Sequence, residues 1–217
     1  MNVNVKALAT STLTAEAIRD LLALPTMAPV PDDRILDHGT DVLGWGFTQL
    51  VCDAERTRHD HVLSYNVDNP MGDGTATLNL VFAEACPYDP DGENNVDWLT
   101  GDVRGWADEL GWTFRTDVPL DTCESELAEA SATVSEVLGH PPVRTVRTDD
   151  WFGMGPFALC RIWRTGDHAV VVSPLADHGP YGYLTHFVLV LTPCPADEEL
   201  PADDAALRKW VVDRIDW

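Results

Sequence analysis

The sequence is written twice. Shifting the chain by 108 residues places Cys52 on Cys160 and Cys86-Pro87 on Cys194-Pro195, and Arg56-Thr57 falls on Arg164-Thr165 without a gap. Val62, Gly74 and Thr77 match Val170, Gly182 and Thr185, which makes eight identities over the 36 positions from Cys52 to Pro87. Further on, the offset drifts to 104, where Val103-Arg104-Gly105-Trp106 meets Leu207-Arg208-Lys209-Trp210. Self-similarity at a fixed spacing means that each copy is a structural unit burying its apolar face against a neighbour. The expectation is therefore two units, 1–112 and 113–217, in one body.

Each unit reads as helix, three strands, helix. Thr14 is a candidate N-cap, with Leu13 and Ile18 as a hydrophobic staple and Pro25 as the stop. In the second copy Asp121 with Glu124 resembles a capping box. Leu127, Ser131, Val134 and Leu138 follow at helical spacing, and Gly139 then Pro141-Pro142 end the helix. First strands are expected at 43–55 and 157–164. The second copy turns through Thr165-Gly166-Asp167 into a strand at 168–173, and the first turns less crisply near Arg58-His59-Asp60 into 61–67. Third strands at 75–85 and 183–192 precede Cys-Pro. Closing helices are expected at about 97–111 and 203–216, with 112–122 as linker. Local antiparallel strands predict an α+β fold in which the two sheets join or pack, with helices on one side.

Composition narrows the function. Fourteen Lys and Arg against 36 Asp and Glu give a net charge of −22. Phosphate backbones are bound by cations that displace counterions, so nucleic acid is not expected as a direct partner. At 45% hydrophobic residues with eight Trp, the chain has the material for a core. Its longest apolar run is far short of the ~20 residues of a membrane span, and Met1–Thr10 does not read as a secretory signal. A cytoplasmic location without membrane contact is expected. Five Cys without CxxC spacing read as reduced thiols.

No enzyme motif stands out. Cys52 and Cys86, like Cys160 and Cys194, fall on strands one and three of a meander, ~10 Å apart, beyond disulfide reach. Cys123 sits near a helix N-terminus, where the dipole would lower its pKa, so a small enzyme using carboxylates or Cys123 is one alternative. His59 and His61 are two imidazoles where a zinc site wants three or four ligands, and they read as solvated hairpin residues. Asp89-Pro90-Asp91-Gly92-Glu93 misses the EF-hand pattern. Gly153-Met154-Gly155-Pro156 lacks the ending of a phosphate loop. No metal, cofactor or catalytic residue is assigned.

Surface remains. From Asp89 to Glu124 ten acids face two Arg, and Asp197-Glu198-Glu199 with Asp203-Asp204 form a second acidic block. Such a field suits a basic partner and speeds encounter. Aromatic loops unmatched between the copies, Trp151-Phe152-Gly153-Met154-Gly155-Pro156-Phe157 and Tyr181-Gly182-Tyr183, have hot-spot composition. The candidate partner-binding residues are thus Trp151, Phe152, Met154, Phe157, Tyr181, Tyr183, Asp89, Asp91, Glu93 and Asp97.

Residues 127–192 carry a likeness to a known group. Leu127-Ala128-Glu129-Ala130, then Val137-Leu138-Gly139-His140-Pro141-Pro142, then Trp163-Arg164-Thr165-Gly166-Asp167 and a run of Val resemble small actinobacterial immunity-type proteins. The resemblance implies a protein that neutralises a cognate toxin domain by occluding its active site. No functional residue transfers with it. A chaperone for a secreted substrate is the other alternative, distinguished by binding extended rather than folded segments.

Overall fold

In the computed structural model, residues 4–23, 48–51, 54–66, 77–86, 96–147, 159–176 and 184–215 are described. Among these residues ten strands form one antiparallel sheet. They are β1 (Asn4–Thr10), β2 (Thr48–Val51), β3 (Ala54–Arg56), β4 (Val62–Asn66), β5 (Thr77–Cys86), β6 (Thr113–Pro119), β7 (Arg144–Arg147), β8 (Leu159–Thr165), β9 (His168–Ala176) and β10 (Thr185–Pro193). Among the described residues four helices accompany them: α1 (Ala15–Ala23), α2 (Val96–Leu110), α3 (Leu120–Leu138) and α4 (Asp204–Ile215). The fold is α+β. The main path runs β2-β3-β4-β5-β10-β9-β8-β7, with β1 on β5 and β6 on β1.

The sheets join edge to edge. β5 pairs with β10, Leu80 opposite Leu189 and Val81 opposite Val188, with a bulge between Phe187 and Val188. Every residue from Thr77 to Cys86 and from Thr185 to Thr192 is buried. A strand buried on both faces needs cover on both faces. Accordingly the helices do not gather on one side as the sequence suggested. α1 and α3 pack on the face carrying Leu8, Leu63, Leu80, Phe82, Trp163 and Leu189. α2 and α4 pack on the opposite face, over Ala7, Val62, Val81, Ile162, Val171 and Val190. Neighbours such as Leu80 and Val81 fall in different clusters because successive strand side chains alternate.

Four further differences concern the elements. The segment expected as one strand at 43–55 holds two, β2 and β3, which pair with each other in antiparallel. A strand precedes the first helix in each half, so 113–119 is β6 rather than a linker. β7 precedes the hairpin of the second half. Helix α3 begins one residue before the expected cap: Pro119 holds the N-cap position without a side-chain bond, and Asp121 lies in the first turn, where its charge still suits the dipole. Several other signals behave as read, while Pro25 lies outside the described residues. Thr14 Oγ accepts the Ala17 N–H at 3.1 Å, and Leu13 and Ile18 are both buried. Gly166, at φ +56°, makes the β8–β9 turn.

Gly139 closes α3 in the left-handed region at φ +77°, its N–H donating to the Ser135 carbonyl. A Cβ there would meet nothing within 4 Å, so an alanine would suffer only from its backbone conformation. Gly139→Ala is expected to cost about 1 kcal/mol. Gly105→Ala, inside α2 with equally open space, should instead stabilise by about 0.5–1 kcal/mol. Urea unfolding of the two variants should show opposite signs.

Candidate functional site

Titratable side chains gather where β5 meets β10. Glu84 and His186 stand directly opposite each other in the ladder, at the end of β5 and the beginning of β10. Their side chains lie 3.6 Å apart, Nε2 to Oε1, and are 2% and 8% exposed for Glu84 and His186. Trp106 of α2 lies against the imidazole, with ring centroids 6.1 Å apart, and Trp112 lies against Trp106 at 6.5 Å. The pair therefore faces the α2 layer, and Glu84 Oε2 is buried without a hydrogen-bond partner. Two residues on, burial pushes the Cys86 thiol up to about 11, opposed by a hydrogen bond from Thr100 and reinforced by the Glu84 charge.

The same layer holds further buried polar groups. Asn79 Oδ1 has no hydrogen-bond partner, and Cys160 Sγ and Ser173 Oγ lie 2.8 Å apart. Buried polar groups lacking partners are uncommon in folded proteins. The carboxylate–imidazole pair is chemically able to shuttle a proton. Its burial, however, keeps it from any substrate in this conformation, and it reads as a polar core at the seam of the two halves.

A second cluster tethers the β3–β4 turn. His59 Nε2 lies 2.6 Å from Asp20 Oδ2 of α1, and Arg58 donates to the same carboxylate. His61 is wholly buried, its Nε2 3.2 Å from the Thr12 carbonyl and its Nδ1 without a hydrogen-bond partner. Burial lowers its pKa to about 4, the Thr12 contact and Asp60 opposing and His59 adding to the shift. Trp112 Nε1 donates to the Asp60 carbonyl, and Arg56 to that of Glu109. The turn thus clasps α1 and the end of α2. Its histidines are structural groups, not the solvated pair the sequence suggested.

Of the residues assigned to partner binding from sequence, Trp151, Phe152, Met154, Phe157, Tyr181, Tyr183, Asp89, Asp91 and Glu93 lie outside the described residues. Asp97 is exposed in the first turn of α2, and the neighbouring Trp98 is 49% exposed. Cys123 is fully buried, and burial pushes its thiol up to about 12, opposite to the helix-dipole expectation. A thiolate nucleophile there is not supported. Cys86, Cys160 and Cys194 are buried free thiols, as small core residues should be.

Glu84 and His186 were missed. Their signal was present: each is an ionisable residue inside a strand of otherwise uncharged residues. Among the described residues no group of three His, Cys, Asp or Glu is placed to hold a metal, and no helix is long and apolar enough to cross a membrane. Comparison with protein-family models, curated proteins and solved structures gave no match.

Proposed function

We propose that the chain is a duplicated acidic binding protein of the immunity type, which neutralises a basic toxin domain by covering its active site. Duplication is supported by element order, since each half runs strand, helix, four strands, helix. It is supported as well by the seam. Shifting Leu80 and Val81 by 108 gives Val188 and Leu189, the residues they face crosswise in the ladder. In the closing helices, Val103, Trp106 and Ala107 correspond at offset 104 to Leu207, Trp210 and Val211, and all six pack into one cluster.

The observation that carries the binding reading is the disposition of charge. Six of the arginines are used internally. Arg56 and Arg58 bind Asp60 and Asp20, Arg115 binds Glu126, and Arg214 binds Glu198. Arg144 donates to the Pro201 and Ala202 carbonyls, and Arg164 to those of Cys194, Pro195 and Glu198. By contrast Asp97, Asp108, Asp117, Asp121, Glu136, Asp197 and Glu199 are exposed and, among the described residues, make no ion pair. The surplus of −22 is thus presented outward. A basic cleft would meet it with association rates raised about 10-fold or more and falling with salt.

The test is co-expression with the product of the adjacent gene. Restored growth, with a complex whose association slows as salt is raised, is expected. Absence of both rescue and complex would end the reading.

A further inference from the structure

We propose that the outer edge of β6 receives an extended basic segment of the partner as an added strand, an inference that rests on the acidic-binding reading and gives it a place. Among the described residues β6 pairs only with β1. The backbone directions follow from one bond. The Ser11 N–H donates to the Phe82 carbonyl at 2.8 Å, continuing the β1–β5 register, so Ala9 and Ala7 also bond toward β5. Leu8 and Thr10 then bond toward β6, where they face Arg115 and Thr113. Phe114 and Thr116 are left with N–H and C=O directed away from the sheet. Exposure agrees, since Thr113, Thr116 and Asp117 are all open to solvent.

Such an edge templates pairing with another chain. Charge selects which chain. Asp108 and Glu109 precede the strand, Asp117 lies in it, and Asp121 and Glu124 follow it. Arg115 is neutralised by Glu126, and Arg104, 4.5 Å over the Phe114 ring centroid, leaves one positive charge against these five acids. A second copy would bring two such acidic edges together, each on a body of charge −22. A lysine-rich strand neutralises them instead. Asp117, at φ +51°, interrupts the regular strand, so the docked length is short, centred on Phe114 and Thr116. Affinity then comes from a few backbone bonds plus charge, and is strongly salt-dependent.

The probe is a blocked hexapeptide alternating Lys with Thr or Val, titrated into the full chain at low ionic strength and followed by amide chemical shifts. Shifts should centre on 113–117. Thr116→Pro removes an outward N–H without touching the β1 ladder and should weaken binding about ten-fold or more. Should that variant fail to fold, Thr116→Lys, which sets a like charge on the edge, should weaken binding comparably. Equal binding by a peptide N-methylated at alternate residues, or shifts centred elsewhere and unaffected by Thr116 substitution, overturns strand addition while leaving the acidic-binding reading standing. Self-association abolished by Thr116→Pro overturns it as well. No binding of either peptide anywhere on the chain, together with failed rescue by co-expression, retires both.

Discussion

His186→Phe is expected to destabilise the protein by about 3–5 kcal/mol, the cost of leaving a buried carboxylate without its partner. Glu84 is 2% exposed, and the imidazole at 3.6 Å balances it across the ladder when protonated. Phenylalanine would preserve the packing against Trp106, so the loss reports electrostatics more than volume. The double variant Glu84→Leu/His186→Phe should recover most of that loss, or exceed the parent by about 1–4 kcal/mol, because an apolar pair needs no desolvated charge. Urea unfolding at pH 7 of the four proteins closes the cycle, and a coupling energy below about 0.5 kcal/mol would show that the two groups act independently.

Much of the fold was legible because the strongest signals were local. Thr14 capped its helix as read, since only a side-chain oxygen at that position reaches the Ala17 amide. Gly139 ended α3 and Gly166 turned the β8–β9 hairpin because each occupies a positive φ that other residues resist. Layering was less legible. The runs Leu78–Cys86 and Thr185–Thr192 lack the polar alternation of a one-faced strand, which is the pattern of a sheet covered on both sides. Weighing local hairpins over that continuity put all helices on one face. Residues 112–122, with Pro119 among them, read as a linker, whereas 113–119 form β6. On an edge strand a proline such as Pro119 is ordinary, since one side of the ladder is left open.

The candidate site was less visible for a related reason. Sequence reasoning favoured exposed acids and aromatic loops, whose roles depend on a partner. It passed over Glu84 and His186, which are separated by about a hundred residues and become neighbours only through the β5–β10 register. A single ionisable residue in an apolar run names no partner. Two such residues in paired strands would have done so, had the pairing been known. Cys123 failed in the opposite direction. Its position near a helix start suggested an acidic thiol, but burial disfavours the thiolate more than the dipole favours it, and the group moved up.

Acid should loosen the protein through His61. In the folded chain its pKa is lowered from 6.5 to about 4, chiefly by burial, while the unfolded chain titrates near the ordinary value. Between those values the unfolded state binds the extra proton, so stability rises with pH across this window. The contribution is fully present above about pH 6.5, declines as pH falls toward 4, and changes little below. A difference of this size corresponds to about 3 kcal/mol. The surrounding carboxylates act in the other direction, because protonating some of 36 acids relieves the repulsion of a chain at −22. The His61 effect is therefore read as a difference. His61→Gln keeps a donor for the Thr12 carbonyl and does not titrate. Its unfolding free energy should lose about 3 kcal/mol less than that of the parent between pH 6.5 and 4. Identical pH profiles for the two proteins, or an imidazole proton resonance of His61 titrating near 6.5 in the folded state, would refute the assignment. The structural consequence is local first. The turn from Thr57 to His61 holds Asp20 of α1 and meets Trp112 just beyond α2, so a charged His61 weakens the clasp on both helices at once. Amide exchange at acid pH should accordingly accelerate in α1 and the end of α2 before it does so in β5 and β10, whose ladder lies at the centre of the sheet.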